Sequence, residues 1–313
     1  MSSPTLSFEL MPPRTPAGSI KFWDTVQELL ATSPDFLSVT YGAGGHNRDT
    51  AHAVTARLVH DVPVRPLAHL TCVGVSRAET TRVVDQYLSS GVRSFLALRG
   101  DPPVSGQREP DELKSSLELI ALLRERDLAR AEDSDADRLR ALIRPLIIAV
   151  ATFPAGNPAA GSTPTQEVER LLLKQAAGAS FAITQLFYQA DTYLSFTREA
   201  RAAGVRIPIL PGILPPTNPR RLRRVAELSG VAPDRSLLAQ LEAATPEAAI
   251  EIGIEAGSAL VREVLAEGAP GIHLYTFNQA GQNLEILARA GLLGAGAPAD
   301  KQPSRCHWQP AHQ

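Results

Sequence analysis

Eight short apolar runs alternate with amphipathic segments along the chain, and this alternation constrains the fold more than any other feature. The runs occupy residues 6–11, 36–41, 65–72, 94–98, 146–153, 181–187, 207–214 and 272–277 and are built mostly from Val, Ile, Leu, Phe and Thr. A strand buried on both faces reads this way, because it has no solvent face to fill with polar residues. The intervening segments carry apolar side chains at helical spacing, such as Ala51, Val54 and Leu58, or Val83, Val84, Tyr87 and Leu88. Gly91, Gly178, Gly204 and Gly291 stand where helix C-caps belong. Strand–helix alternation predicts a parallel sheet, and eight repeats predict an α/β fold closed into a single (β/α)8 TIM barrel. An open doubly wound sheet is the rival. It would carry a Gly-rich turn after its first strand, whereas residues 6–11 run into Pro12-Pro13-Arg14.

Composition supports one large core. Of 313 residues, 44% are hydrophobic and 20% charged, which excludes a disordered or fibrous chain. The barrel is assigned to residues 1–293, with an extra helix inserted over 229–245, before the last strand. The charge-rich stretch 124–144 is expected to lengthen the fourth helix or form a solvated loop. Residues 294–313 lack periodicity and read as a loose tail. With 31 Lys+Arg against 33 Asp+Glu, the net charge of -2 leaves no basic excess for nucleic acid. Two cysteines, Cys72 and Cys306, make neither a disulfide framework nor a four-cysteine zinc site. The adjacent Cys306-His307 pair is not read as a metal site. The sequence shows no membrane span and no signal peptide, so a cytoplasmic location is expected.

Polar residues collect near the C-terminal ends of the apolar runs, where barrel enzymes place their chemistry. Glu9 lies between Phe8 and Leu10; Thr40-Tyr41-Gly42-Ala43 ends the second run; His69 lies in the third. Arg99-Gly100-Asp101 follows the fourth, Phe153-Pro154 ends the fifth, Thr184-Gln185 lies in the sixth, and Tyr275-Thr276 lies in the eighth. Singly, each has an ordinary reading: Glu9 as a buried carboxylate paired to an arginine, His69 as a core histidine, Gln185 as a loop tether. Gly42, Gly44 and Gly45 are weak evidence for an anion cradle. A carboxyl group desolvated between Phe and Leu has a raised pKa, as a general acid requires near neutrality.

Taken in order, these motifs resemble the methylenetetrahydrofolate reductases. The resemblance rests on Ser7-Phe8-Glu9-Leu10-Met11-Pro12-Pro13, Ser38-Val39-Thr40-Tyr41-Gly42-Ala43-Gly44-Gly45, His69-Leu70-Thr71-Cys72, Ala97-Leu98-Arg99-Gly100-Asp101-Pro102-Pro103, Ile183-Thr184-Gln185-Leu186-Phe187, Pro211-Gly212-Ile213-Leu214-Pro215 and His273-Leu274-Tyr275-Thr276-Phe277-Asn278. It implies a barrel that reduces 5,10-methylenetetrahydrofolate to 5-methyltetrahydrofolate. It implies Glu9 as the acid that opens the methylene bridge and Asp101 as a carboxylate that stabilises the iminium and binds substrate. Gln185 and Gln279 are implied as substrate-binding residues, although the family often has arginine at the Gln279 position. Thr40, Tyr41, Ala43, His69, Arg99 and Gly100 match the strand-end part of the family's cofactor site.

The second part of that site departs from the pattern. After the fifth strand the family typically shows Tyr-Pro-Glu-x-His-Pro, whereas residues 153–158 read Phe153-Pro154-Ala155-Gly156-Asn157-Pro158. The helix that follows carries Glu167, Arg170, Leu173 and Lys174 at the matched positions, with Leu173 in place of an arginine. Pro219 replaces an aromatic residue that stacks on the ligand. Several charge-assisted hydrogen bonds to a flavin diphosphate are thereby lost, each worth about 1.5–3 kcal/mol. The expectation is a reductase that takes hydride from NADH (or NADPH) and passes it directly to the folate, without FAD. A conventional FAD-dependent ping-pong enzyme, a non-catalytic folate-binding barrel and a flavin barrel of the proline dehydrogenase type are the alternatives. Arg220, Arg221, Arg223 and Arg224 are either a polyglutamate-binding cluster or a solvated helix face.

Overall fold

The computed structural model describes residues 3–41, 47–100 and 110–293. Among these, nine parallel strands form one sheet: β1 (Thr5–Leu10), β2 (Phe36–Val39), β3 (Arg65–Thr71), β4 (Ser94–Leu98), β5 (Ile147–Thr152), β6 (Phe181–Thr184), β7 (Ile209–Leu210), β8 (Gly212–Ile213) and β9 (Gly271–Tyr275). The order β7-β6-β5-β4-β3-β2-β1-β9-β8 wraps the sheet into a nearly closed barrel. Eight runs become nine strands because Pro211 has no N–H and divides the seventh run. Its first half pairs with β6 and its second with β9, so the interruption falls where the ring closes. The Pro211 carbonyl accepts from the His273 N–H at 2.9 Å, and the Gly212 N–H donates to the Thr184 hydroxyl at 2.9 Å.

The helices around the barrel are α1 (Pro16–Leu30), α2 (Arg48–Asp61), α3 (Arg77–Ser89), α4 (Ser116–Asp133), α5 (Asp135–Ile143), α6 (Pro164–Ala176), α7 (Ala190–Ala202), α8 (Pro219–Ser229), α9 (Arg235–Ala243), α10 (Pro246–Ala266) and α11 (Ala280–Arg289). Stretch 124–144 both lengthens the fourth helix and forms the separate α5, because Ser134 leaves the helix and caps the next one through Asp137 N–H. The inserted helix is α9. Thr15, Thr163, Asn218 and Thr245 cap α1, α6, α8 and α10, each followed by proline in the first turn, where no N–H is needed.

Period-two alternation sorts the strand residues. Phe8, Leu10, Val39, Leu70, Phe95 and Ile148 belong to the large core between strands and helices. Phe36, Leu67, Leu96, Ala149, Phe181, Ile183 and Leu210 form a separate cluster inside the barrel. Ser7 and Glu9 lie on the strand face opposite Phe8 and Leu10, so a polar pair enters an otherwise apolar barrel. Gly253 of α10 touches the segment after β8, where a Cβ would collide with the Pro216 carbonyl oxygen. Close packing there fixes the approach to α8.

Candidate active site

The C-terminal mouth of the barrel opens on a cavity of ≈ 290 Å³ walled by Glu9, His69, Phe153, Gln185, Tyr275 and Phe277, among others. Another cavity, ≈ 390 Å³, lies between the loops carrying Gly156, Tyr188, Asp234 and Arg235. It is larger but holds neither Glu9 nor His69, so the site is assigned to the smaller one on its chemistry.

Among the described residues no arginine pairs with Glu9. His69 Nε2 lies 3.9 Å from Glu9 Oε2. Burial pushes the Glu9 carboxyl up to about 8 and the His69 imidazole down to about 3. At neutral pH the pair is therefore a protonated acid beside a neutral imidazole. Among the described residues His69 Nε2 has no hydrogen-bond partner, and it is buried beside a cavity that His69 itself lines.

Below them a second histidine is fully used. His273 Nδ1 lies 2.9 Å from the Ser7 hydroxyl and Nε2 lies 3.3 Å from the Ser38 hydroxyl. Ser7 gives its own proton to the Ile272 carbonyl, so it accepts from Nδ1–H, and Ser38 donates to Nε2. Burial first, then the neighbouring His69, holds His273 at about 3, hence neutral. This layer closes the cavity floor with hydrogen bonds rather than charge.

Two ties from the last strand hold the acid in place. Thr276 donates to the Glu9 carbonyl at 2.5 Å, and Asn278 brackets Met11, accepting from its N–H at 3.0 Å and donating to its carbonyl at 2.7 Å. Phe277 and Asn278 both adopt positive φ, 46° and 55°, a conformation that asparagine tolerates but that is costly for a bulky residue such as phenylalanine. The bend places Phe277 in the cavity wall. Tyr275 crosses the mouth and donates to the Thr184 carbonyl at 2.6 Å, and burial and then Glu9 raise its pKa.

Of the other expected residues, Gln185 lines the cavity and turns its amide oxygen to the Leu186 N–H at 2.9 Å. Thr40 and Tyr41 follow β2, with the Arg48 guanidinium 5.6 Å from the Tyr41 ring centroid. Arg99 is exposed after β4, and its carbonyl accepts from the N–H groups of Cys72 and Val73. Gly100 follows with φ 90°, where a Cβ would press on Thr71 and Val73. None of Thr40, Tyr41, Arg99 and Gly100 is among the cavity-lining residues. Gln279 also stands outside the cavity wall, at the N-cap of α11. Asp101, Ala43, Gly42, Gly44, Gly45 and the 294–313 tail with Cys306 and His307 lie outside the described residues. The Cys72 thiol is buried against three carbonyls and pushed up to about 12, so it is no nucleophile.

The segment after β5 uses its own charges. Buried Glu167 accepts from Ser162 at 2.5 Å and from Arg170 at 2.6 Å. Lys174 donates to the Ala151 carbonyl at 2.7 Å, and burial lowers its pKa to about 8. Leu173, 57% exposed, presents an apolar surface to solvent. Both cations matched to this part of the site, Arg170 and Lys174, thus already bond to acceptors within the protein.

The sequence profile of the methylenetetrahydrofolate reductases matches residues 1–291. The chain belongs to the methylenetetrahydrofolate reductase family. Relatives include the 5,10-methylenetetrahydrofolate reductase of Pectobacterium carotovorum subsp. carotovorum, 31% identical over 92% of this chain and 90% of that protein. The Escherichia coli (strain K12) enzyme is 30% identical with the same coverage. A probable methylenetetrahydrofolate reductase (NADH) of Oryza sativa subsp. japonica is 31% identical over 92% of this chain and 48% of its own length. Among solved structures, an uncharacterised protein from Clostridium thermocellum that binds two copies of 5-methyl-5,6,7,8-tetrahydrofolic acid shares the fold, with TM-score 0.58, 15% identity and coverage of 92% and 94%. The family assignment makes the chain an oxidoreductase, as its strand-end motifs imply.

Sequence reading missed the Ser7–His273–Ser38 layer, the Asn278 clasp and the position of Arg221, whose guanidinium lies 4.9 Å from the Phe277 ring centroid. The first carried a legible signal, since Ser7 and Glu9 alternate with apolar Phe8 and Leu10.

Proposed function

We propose that this protein reduces 5,10-methylenetetrahydrofolate to 5-methyltetrahydrofolate, with hydride passing directly from NADH to the folate and no flavin between them. The observation that carries the reading is Glu9, a carboxyl group still protonated at neutral pH on the wall of an apolar cavity. Its proton goes to N10 of the folate and breaks the bond from N10 to the methylene carbon, leaving an N5 iminium. Hydride from C4 of the dihydronicotinamide then adds to that carbon, giving the N5-methyl product and the oxidised nicotinamide. A neutral His69 places no cation beside the developing iminium, and its free Nε2 accepts a hydrogen bond from Glu9 or from the bound pterin. Gln185 offers amide donors to the pterin edge, and Asp101 is assigned the anion that steadies the iminium.

The absence of flavin is supported by the segment after β5, whose Glu167, Arg170 and Lys174 already bond to the protein. NADH is preferred over NADPH because no arginine cluster suited to a 2′-phosphate stands out in the sequence; relatives carry both names. The test is the absorbance spectrum of the purified protein together with initial rates at varied NADH and folate. A colourless protein active without added FAD, with intersecting double-reciprocal lines, is expected. A yellow protein that needs FAD and gives parallel lines contradicts the reading.

A further inference from the structure

We propose that Arg221 anchors the glutamate tail of the folate substrate. This inference rests on the folate-reducing reading above. Arg221 and Val225 are one turn apart on the same face of α8, and Val225 lines the cavity. The Arg221 guanidinium lies over the ring of Phe277, which also lines the cavity, 4.9 Å from its centroid. Arg221 therefore sits at the cavity rim with its guanidinium over the Phe277 ring.

The other arginines of α8 differ. Arg223 pairs with Glu242 and Arg224 with Glu227, both exposed, and Arg220 is exposed on the solvent side. Those three form the solvated face. Arg221 is half-buried, no carboxylate bonds to its guanidinium among the described residues, and the first turn of α8 contains no acidic residue. Partial desolvation lowers its pKa, the signature of a cation that lacks its anion. A group at this place, with planar paired donors and an aromatic shelf beneath, matches a carboxylate carried on an aromatic amide, as folate carries its glutamate. The pyrophosphate of the dinucleotide offers anionic oxygens too, so the test separates the two sources.

The experiment measures KM and kcat for the wild-type protein, R221M and R221K with three varied reactants: methylenetetrahydrofolate, an analogue whose aminobenzoyl carbonyl ends in a neutral methylamide in place of the glutamate, and NADH. R221M keeps an unbranched stem over Phe277, and R221K keeps the charge. R221M is expected to raise KM for the glutamate-bearing substrate about 10- to 100-fold with kcat within about twofold, and R221K to recover part of the loss. For the methylamide analogue, wild type and R221M behave alike, because the carboxylates that Arg221 binds are gone and the end of the molecule is neutral. An equal KM rise with the methylamide analogue overturns the proposal, as does a rise confined to NADH. A wild-type protein that reduces neither folate overturns the underlying reading instead.

Discussion

At the scale of single residues the site depends on where one proton resides. Glu9 stays protonated to about pH 8 because apolar walls withhold solvation from its anion, and among the described residues no cation compensates. Glu9→Gln keeps the size and removes the proton, so kcat should fall about 10²- to 10⁴-fold while folate binding persists. Steady-state assays with a separate folate binding measurement check this; near-normal turnover would make Glu9 structural. The wild-type rate should fall above about pH 8 as the acid ionises. Much of this was legible in the sequence, since a carboxylate in an apolar strand between Phe8 and Leu10 has few uses. The absence of an arginine partner and the 3.9 Å approach of His69 were not, because they depend on neighbouring strands. Arg221 stood in the sequence as one of four equivalent arginines, and only packing against Phe277 distinguishes it.

At the scale of elements, eight apolar runs with helical segments between them were enough to specify the barrel. The division of the seventh run was not read, although its cause, Pro211, lies in plain view. A proline in a strand disrupts the ladder only if its N–H would have pointed at a partner, and register decides that. Gly212 follows for a different reason. A Cβ there would strike the Thr184 carbonyl oxygen and the Tyr275 hydroxyl, the two groups whose hydrogen bond spans the mouth. Gly212→Ala should cost about 2–4 kcal/mol and displace Tyr275, lowering activity as well as stability. Urea denaturation checks the first effect, and an unchanged midpoint would show that the mouth yields more readily than its packing implies.

At the scale of the whole molecule, three buried groups dominate how stability varies between pH 4 and 8, below the range where Lys174 titrates. Glu9 binds its proton more tightly folded than unfolded, so its contribution is complete below 4.5 and lost as pH rises to about 8. His69 and His273 resist protonation when folded, so theirs is complete above 6.5 and lost as pH falls toward about 3. Between 4.5 and 6.5 the two histidines outweigh the one carboxyl group; above 6.5 only the carboxyl group acts. Stability should therefore peak near pH 6.5, with limbs of order 1.4 kcal/mol per pH unit for each unbalanced proton. Thermal melts from pH 4 to 8 check this, and Glu9→Gln should flatten the limb above 6.5. A wild-type Tm that stays level from 6.5 to 8 would contradict the placement of Glu9.

The claim that hydride moves directly between two substrates held over Glu9 has one decisive measurement. NADH deuterated at C4, on each face in turn, is turned over in ordinary water and the product methyl group is analysed by mass spectrometry. A hydrogen that passes from carbon to carbon never meets solvent, whereas one held on a carrier's N–H exchanges with it. One of the two labelled donors should deliver one deuterium per methyl group. A methyl group that contains only solvent hydrogen with both donors would contradict direct transfer.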